Sequence, residues 1–326
     1  MPRVSTYTLG CKLNQTETST LEDEFLDREF QLVDFGEPAD VTVINTCSVT
    51  QAADRKARKM IRRARRASPD AFIAVTGCYA QLRPEEIAEI DGVDLVLGAR
   101  EKMDLFDWVG EAFERPERTQ VEVSCIDEVD SFGPAYSSGS RTRAFLKIQD
   151  GCDYGCTFCT IPEARGASRS QPLEDVLDQA REIAGRGYRE IVLTGVNIGL
   201  YGEDRGEEFL DLLRALDRIE PIQRYRISSI EPNLLTDSII DFVADSRAFL
   251  PHFHMPLQSG DDEVLKKMAR RYRRERYRER VEHIRERMPD ACIGVDVIVG
   301  FPAEDEERFQ NSYRFVHRLP VSYLHA

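Results

Sequence analysis

Nine residues carry three thiols: Gly151-Cys152-Asp153-Tyr154-Gly155-Cys156-Thr157-Phe158-Cys159. With this spacing one short loop can wrap three corners of a cubic four-iron cluster, which ordinarily takes four protein thiolates. No fourth cysteine lies nearby in the sequence, so one iron would stay open to a ligand. An open coordination position separates a catalytic metal site from a closed structural one. A zinc loop with a remote fourth ligand is the competing reading, and the ligand count weighs against it.

Three further cysteines share a different placement. Each follows directly on a strand-like run, in Thr8-Leu9-Gly10-Cys11, Asn45-Thr46-Cys47 and Thr76-Gly77-Cys78. Two have a glycine before the thiol, which allows a tight turn or a close backbone approach. In parallel α/β sheets, ligands sit beyond the carboxyl ends of the strands. Three thiols delivered to one sheet edge should converge and bind a soft metal or an iron–sulfur cluster. The alternative is three unrelated buried cysteines. Structural zinc is disfavoured, because it usually closes four ligands, often in closely spaced pairs.

The elements that must position these thiols can be read from the hydrophobic pattern. Strand-like runs at 4–9, 41–45, 72–76 and 94–97 alternate with helix-like stretches near 14–28, 51–67, 84–90 and 101–113. That order predicts a parallel sheet with crossover helices over 1–114. Residues 115–143 break the pattern with an acidic stretch, Ser131-Phe132-Gly133-Pro134 and Ser137-Ser138-Gly139-Ser140, and read as a linker, with a short extra strand at 119–124 as the alternative. From 144 to 326 the order is strictly βα. Strands are expected at 144–148, 190–193, 224–228, 252–255, 293–297 and 322–325, and helices near 172–185, 207–219, 236–245, 261–287 and 305–318. Six strands and five helices fit a partial (β/α)6 barrel rather than an eightfold one. The chain stops inside the sixth strand, which reads as a truncated or fragmentary sequence.

The 326 residues carry 44 basic and 58 acidic side chains, a formal net charge of -14. Taken alone, that total argues against nucleic acid, but the basic residues are clustered. The stretch 51–67 holds Arg55, Lys56, Arg58, Lys59, Arg62, Arg63, Arg65 and Arg66 against Asp54 alone, which favours phosphate contact over a merely solvated face. The arginines of 270–287 interleave with Glu275, Glu279, Glu282 and Glu286 and read as a salt-bridged helix. Eight cysteines without a signal peptide point to metal or redox chemistry in the cytoplasm. Cys125 and Cys292 are read as structural, and His252 and His254 as core or pocket-lining.

With both cysteine sets in view, the whole chain resembles a radical S-adenosylmethionine (SAM) methylthiotransferase. The likeness includes Tyr7-Thr8-Leu9-Gly10-Cys11-Lys12-Leu13-Asn14-Gln15, Asn45-Thr46-Cys47-Ser48-Val49-Thr50, Thr76-Gly77-Cys78-Tyr79-Ala80-Gln81 and the triplet loop. It extends to Leu193-Thr194-Gly195-Val196-Asn197, Pro256-Leu257-Gln258-Ser259-Gly260 and Asp296-Val297-Ile298-Val299-Gly300-Phe301-Pro302. Gly10-Cys11-Lys12-Leu13-Asn14 is most similar to the subgroup acting on N6-threonylcarbamoyladenosine in tRNA. Two features depart from the family: Glu163 replaces its usual aromatic, and the small basic domain that normally follows the barrel is absent.

The resemblance implies two [4Fe–4S] clusters and SAM. Cys152, Cys156 and Cys159 would hold the cluster that cleaves SAM to a 5′-deoxyadenosyl radical. Cys11, Cys47 and Cys78 would hold an auxiliary cluster presenting sulfur, both open irons facing one cavity between the domains. The product would be a methylthio group on C2 of the modified adenosine at position 37, in the tRNA anticodon loop, with a reductant such as flavodoxin or ferredoxin. SAM contacts are expected at Gly195, Asn197, Glu231, Gln258 and Asp296, and substrate contacts at Arg165, Arg169, Arg55 and Arg58. Competing substrates are isopentenyladenosine in tRNA and an aspartate of a ribosomal protein. A noncatalytic iron–sulfur RNA-binding protein is the competing class.

Overall fold

A computed structural model describes residues 1–109, 113–137 and 142–326. The chain forms two compact units, one of Met1–Arg141, Gly151–Asp153 and Thr160–Arg169, the other of Thr142–Asp150, Tyr154–Cys159 and Ser170–Ala326.

The first unit is built from β1 (Arg3–Thr8), α1 (Lys12–Asp27), β2 (Gln31–Val33), β3 (Val41–Thr46), α2 (Gln51–Ala67), β4 (Phe72–Gly77), α3 (Cys78–Leu82), α4 (Pro84–Ala88), β5 (Leu95–Leu97), α5 (Leu105–Trp108) and β6 (Gln120–Glu122), with α6 (Ile161–Arg165) joining from later in the chain. All strand pairs are parallel, in the order β2-β1-β3-β4-β5-β6. Every residue of β3 and β4 is buried, because helices cover both faces of the sheet. Alternate residues serve opposite cores. Ile44, Ile73 and Val75 pack with Ala57, Ile61 and Ala64 of α2, whereas Val43, Phe72 and Ala74 pack with Leu21 and Phe25 of α1. The order reverses between β1 and β3, the point where doubly wound sheets open a ligand crevice.

Two expectations change here. Part of the expected linker is β6, a sixth strand beside β5, so the alternative reading of 119–124 is the one observed. The expected helix at 101–113 is a 3-10 turn, Glu101–Asp104, followed by the single turn of α5; residues 110–112 lie outside the described residues, as do Ser138, Gly139 and Ser140 of the expected flexible stretch. The segment Gln31–Val33 was not anticipated as a strand; it is three residues long and largely exposed.

The second unit alternates β7 (Ala144–Lys147), a two-residue β8 (Gln149–Asp150), α7 (Leu173–Gly185) after the two-residue β9 (Arg169–Ser170), β10 (Glu190–Thr194), α8 (Phe209–Asp217), β11 (Arg224–Ile227), α9 (Asp237–Asp245), β12 (His252–Gln258), α10 (Asp262–Lys267), α11 (Arg274–Arg287), β13 (Cys292–Val297), α12 (Glu306–Arg318) and β14 (Tyr323–His325). Strands β7, β10 and β11 form one parallel sheet and β12, β13 and β14 another; single parallel bridges, Tyr225 to Phe249 and Ser229 to His254, continue the arc between them. Six parallel strands with helices between them make the expected partial barrel.

The helix expected over 261–287 is two helices. Ala269 has φ 57, a left-handed conformation that an α-helix does not continue through. The turn from 268 to 273 carries Arg270 and Tyr272 inward; the Tyr272 hydroxyl donates to the carbonyls of Pro256 and Leu257 at 2.7 and 2.8 Å.

Candidate active site

In the first unit, Cys11, Cys47 and Cys78 follow three neighbouring strands, β1, β3 and β4, and the first two flank the β1/β3 reversal. Gly10 and Gly77, which precede Cys11 and Cys78, both have φ 95. A Cβ on Gly77 would lie 2.3 Å from the Thr46 carbonyl oxygen, and one on Gly10 would lie 2.7 Å from the Cys47 Cβ and 2.8 Å from its Sγ. Both loops therefore press on the strand end that carries Cys47, and only glycine fits.

Asn14, fully buried, ties the loops together. Its Nδ2 donates to the carbonyls of Leu9 and Thr46, each at 2.8 Å. Its Oδ1 accepts from Arg165 Nη2 at 2.6 Å and from the Cys11 thiol at 3.9 Å. Thr46 Oγ1 donates to the Thr76 carbonyl at 2.6 Å, joining the ends of β3 and β4.

Beside this lies a buried charge group. Glu17 is 0% exposed and receives Lys102 Nζ at 2.6 Å and Arg165 Nη1 at 3.0 Å on Oε1, with Arg165 Nη2 at 3.2 Å on Oε2. Two cations thus share one carboxylate. Burial pushes the Cys47 and Cys78 thiols up, and the nearby cysteines push further in the same direction, while Arg165 pulls both down and Lys102 also pulls on Cys78. Thiols held neutral by burial ionise when a bound metal supplies positive charge.

The donor set distinguishes the possible occupants. Thiolates on one tetrahedral zinc stand about 3.8 Å apart, from bonds of about 2.3 Å. Among the described residues no three histidine, cysteine, aspartate or glutamate side chains gather closely enough for a single ion. In a cluster each thiolate takes its own iron, and three thiols at the ends of adjacent strands are the donor set such a group needs. All eight cysteines are free thiols; Cys47 and Cys78 are buried, Cys11 is exposed, and the triplet thiols are partly exposed. Cys125 is exposed and Cys292 partly so.

The triplet loop is held from several directions. Gly151 has φ 70, and a Cβ there would lie 1.9 Å from the Ala167 carbonyl oxygen. The Cys152 amide donates to the Gly166 carbonyl at 3.0 Å. In the second unit, Thr157 is held by the carbonyls of Met268 and Lys267, and the Cys159 amide donates to the Cys156 carbonyl at 3.0 Å. Arg270 donates to Cys156 Sγ at 3.2 Å through Nη1 and pairs with Glu231 through Nη2. The aromatic ring of Tyr154 lies 3.8 Å from the Arg271 guanidinium, and its hydroxyl accepts from Asn233 at 2.8 Å.

The expected SAM contacts stand on consecutive strand ends. Gly195 follows β10; a Cβ there would meet Gln149 Oε1 at 2.8 Å, and that oxygen accepts from the amides of Val196 and Asn197, both at 2.9 Å. Asn197 is 4% exposed, yet among the described residues neither its Nδ2 nor its Oδ1 has a partner. Such a group costs about 1–3 kcal/mol unless a ligand satisfies it, so its presence fits a polar ligand. Glu231, beyond β11, is taken up by Arg270; burial raises its carboxyl, and Arg270 opposes that shift. Gln258 ends β12 with φ 67, a strained conformation for a side-chain-bearing residue. Asp296, on β13, pairs with His254 Nε2 at 2.8 Å.

The expected substrate arginines separate into different environments. Arg165 is 2% exposed and bonded to Glu17 and Asn14. Arg169 is buried and donates to the carbonyls of Ser131, Arg165 and Ala167. Both act as ties within the fold, because their guanidinium donors are directed at protein acceptors. Arg58 contacts the Tyr79 hydroxyl at 2.6 Å and Glu86 at 3.8 Å, whereas Arg55 is exposed. Sequence reasoning missed Asn14, Glu17, Lys102, Thr46 and Arg270. Asn14, three residues after a cysteine at a helix start, was the one signal available.

The parallel arc with a three-cysteine loop after its first strand defines a radical SAM protein. Residues 146–316 match the family described as "Radical SAM superfamily", and residues 3–98 match "Uncharacterized protein family UPF0004". The chain is 43% identical over 326 residues to the threonylcarbamoyladenosine tRNA methylthiotransferase MtaB of Aquifex aeolicus, covering 99% of this chain and 79% of the relative. It is 44% identical over 335 residues to the Bacillus subtilis protein of the same name, covering 100% of this chain and 73% of the relative. The solved structure of the radical SAM methyltransferase TsrM from Kitasatospora setae, with tryptophan and a SAM analog bound, has a TM-score of 0.70 at 16% identity, over 99% of this chain and 72% of that one; this is a likeness of fold. The chain belongs to the radical SAM superfamily and, within it, to the tRNA methylthiotransferase family. It is accordingly a transferase, and the family's cofactors are SAM and [4Fe–4S] clusters, two of them in enzymes of this kind.

Proposed function

We propose that this chain adds a methylthio group to C2 of N6-threonylcarbamoyladenosine at position 37 of tRNA. The observation that carries the reading is the second thiol trio: Cys11, Cys47 and Cys78 on adjacent strand ends, braced by Asn14 and two pressed-in glycines. A radical SAM protein that only cleaves SAM needs the triplet loop alone. The identity of 43–44% with proteins named for this nucleoside, together with Gly10-Cys11-Lys12-Leu13-Asn14, supports the substrate.

When bound, the clusters and SAM supply the one-electron and sulfur-transfer chemistry that no side chain can. The protein's residues position them. Cys152, Cys156 and Cys159 hold one cluster and Cys11, Cys47 and Cys78 the other. Gly195 lets Gln149 and Ile198 pack close against the end of β10 and so fixes the turn beside the ligand, Asn197 offers the ligand an unsatisfied donor and acceptor, and Glu231, Gln258 and Asp296 present polar groups from the next three strand ends. Arg270 orients Cys156, and the Glu17–Arg165–Lys102 group sets positive charge beside the second trio. A small reductant such as flavodoxin or ferredoxin supplies the electron. No helix among the described residues is long and apolar enough to cross a membrane; a cytoplasmic setting follows from the proposed tRNA substrate.

The test is nucleoside mass spectrometry of tRNA from a strain lacking the gene. The 2-methylthio form of N6-threonylcarbamoyladenosine should disappear and return on complementation. Its persistence would reject the reading, and loss of the methylthio isopentenyl nucleoside or of a modified ribosomal aspartate would transfer the activity to those substrates.

A further inference from the structure

The exposed side of α2 carries a row of cations whose geometry is specific. The buried residues of this helix are Ala57, Met60, Ile61 and Ala64. At 100° per residue, Arg55, Lys59, Arg62 and Arg66 fall within an arc of about 60° on the opposite side. All four are exposed, and among the described residues none has an ion-pair partner. They succeed one another along the axis by about 6, 4.5 and 6 Å. The acidic chain neutralises its cations elsewhere: in α11, Arg276, Arg278, Arg280 and Arg287 each face a carboxylate. On α2, Arg58 pairs with Glu86, and Glu86, Glu89 and Asp91 border one flank of the helix beside Arg58, Arg62, Arg65 and Arg66. Carboxylates thus stand near Arg62 and Arg66 without forming an ion pair among the described residues, and the row persists although cations four apart repel and weaken the helix.

The row also has a direction. Thr50 caps α2 through its hydroxyl, which accepts from the Ala53 amide at 3.1 Å, and α2 begins four residues after Cys47. As the crossover helix after β3, it starts at the sheet edge bearing the thiols and runs away from it. We infer that Arg55, Lys59, Arg62 and Arg66 form a phosphate track for an RNA backbone leading away from the Cys11–Cys47–Cys78 edge. This rests on the tRNA reading above and adds the surface that grips the nucleic acid. Cations spaced along one line suit a phosphodiester chain, which presents one charge per nucleotide and no sequence information.

The experiment measures binding of a synthetic anticodon stem–loop RNA to this chain by fluorescence anisotropy over a range of salt. R55Q/K59Q/R62Q/R66Q should lower the slope of log affinity against log salt by about 0.7 per lost contact, about 3 in all, and weaken binding about tenfold or more. R55Q/K59Q and R62Q/R66Q should each remove about half of that slope, which keeps the measurement open if the fourfold variant folds poorly. R55K/R62K/R66K should retain the slope, and R181Q/R186Q, on α7 and just after its end, should leave it unchanged. A full slope in the fourfold and paired variants overturns the track while leaving the tRNA reading in place. Absence of RNA binding by the unaltered chain overturns both.

Discussion

The Gly77 backbone is the tightest point of the second thiol trio. With φ 95 and the Thr46 carbonyl oxygen 2.3 Å from where a Cβ would stand, alanine must either strain its backbone or displace the end of β3. Gly77→Ala should cost about 1–3 kcal/mol in stability, from the left-handed backbone alone, and more from the clash. Because the displaced residue adjoins Cys47, the variant should also lose iron from the second trio while keeping it at the triplet. Iron analysis beside a urea melt checks this; a G77A protein with an unaltered midpoint and full iron would contradict the packing described for the trio. The positions of the thiols were legible from local sequence, because a glycine and a cysteine after a strand occupy consecutive residues. Their brace was not: Arg165 meets Asn14 across 151 positions, a distance no local pattern spans.

Helices α9 and α11 show how a single residue sets the stability of an element. Asp237, the first residue of α9, bonds to Arg280 and to His283 Nδ1 at 3.0 Å, both on α11. Those contacts hold its carboxyl below the usual value of 3.8. A carboxyl whose folded pKa is depressed stabilises above its unfolded pKa and loses that contribution as pH falls through the folded one. Asp237→Asn should therefore destabilise at neutral pH, by less than about 1 kcal/mol since the carboxylate is largely exposed. The difference from the unaltered protein should shrink below pH 3.8, as the wild-type carboxyl takes up its proton. Melts of both proteins from pH 7 downwards test the sign; a gap that widened in acid would contradict it. Element order was readable throughout the second unit, because strands and helices there are long enough to show their periods. The break between α10 and α11 was not. Arginines run across the junction at Arg270, Arg271, Arg273 and Arg274, and the left-handed Ala269 carries no glycine signal.

At the scale of the whole chain, the proposed function makes the two thiol trios separate ligand sets, which should load separately. Reconstituted protein should carry about eight irons, four per cluster. Cys11/Cys47/Cys78→Ala and Cys152/Cys156/Cys159→Ala should each retain about four. SAM cleavage to 5′-deoxyadenosine should survive in the first triple variant and vanish in the second. Continued 5′-deoxyadenosine release by C152A/C156A/C159A would refute the assignment of the loop. The acidic total of the chain misleads at this scale, since a mean charge hides a helix with eight cations and one acid.

Sequence by itself determined the candidate ligand atoms and the succession of elements. Both are short-range properties: thiol identity and loop spacing need only nine residues, and the periods of strand and helix repeat within a turn or two. Tertiary structure alone decided which strands became neighbours, placing β1 between β2 and β3. It also decided that Arg165 and Arg169 turn inward, and that Lys102 and Arg165 meet on Glu17. Those outcomes depend on which distant surfaces exclude water together. Burial of a charge is tolerable only where a remote partner happens to arrive.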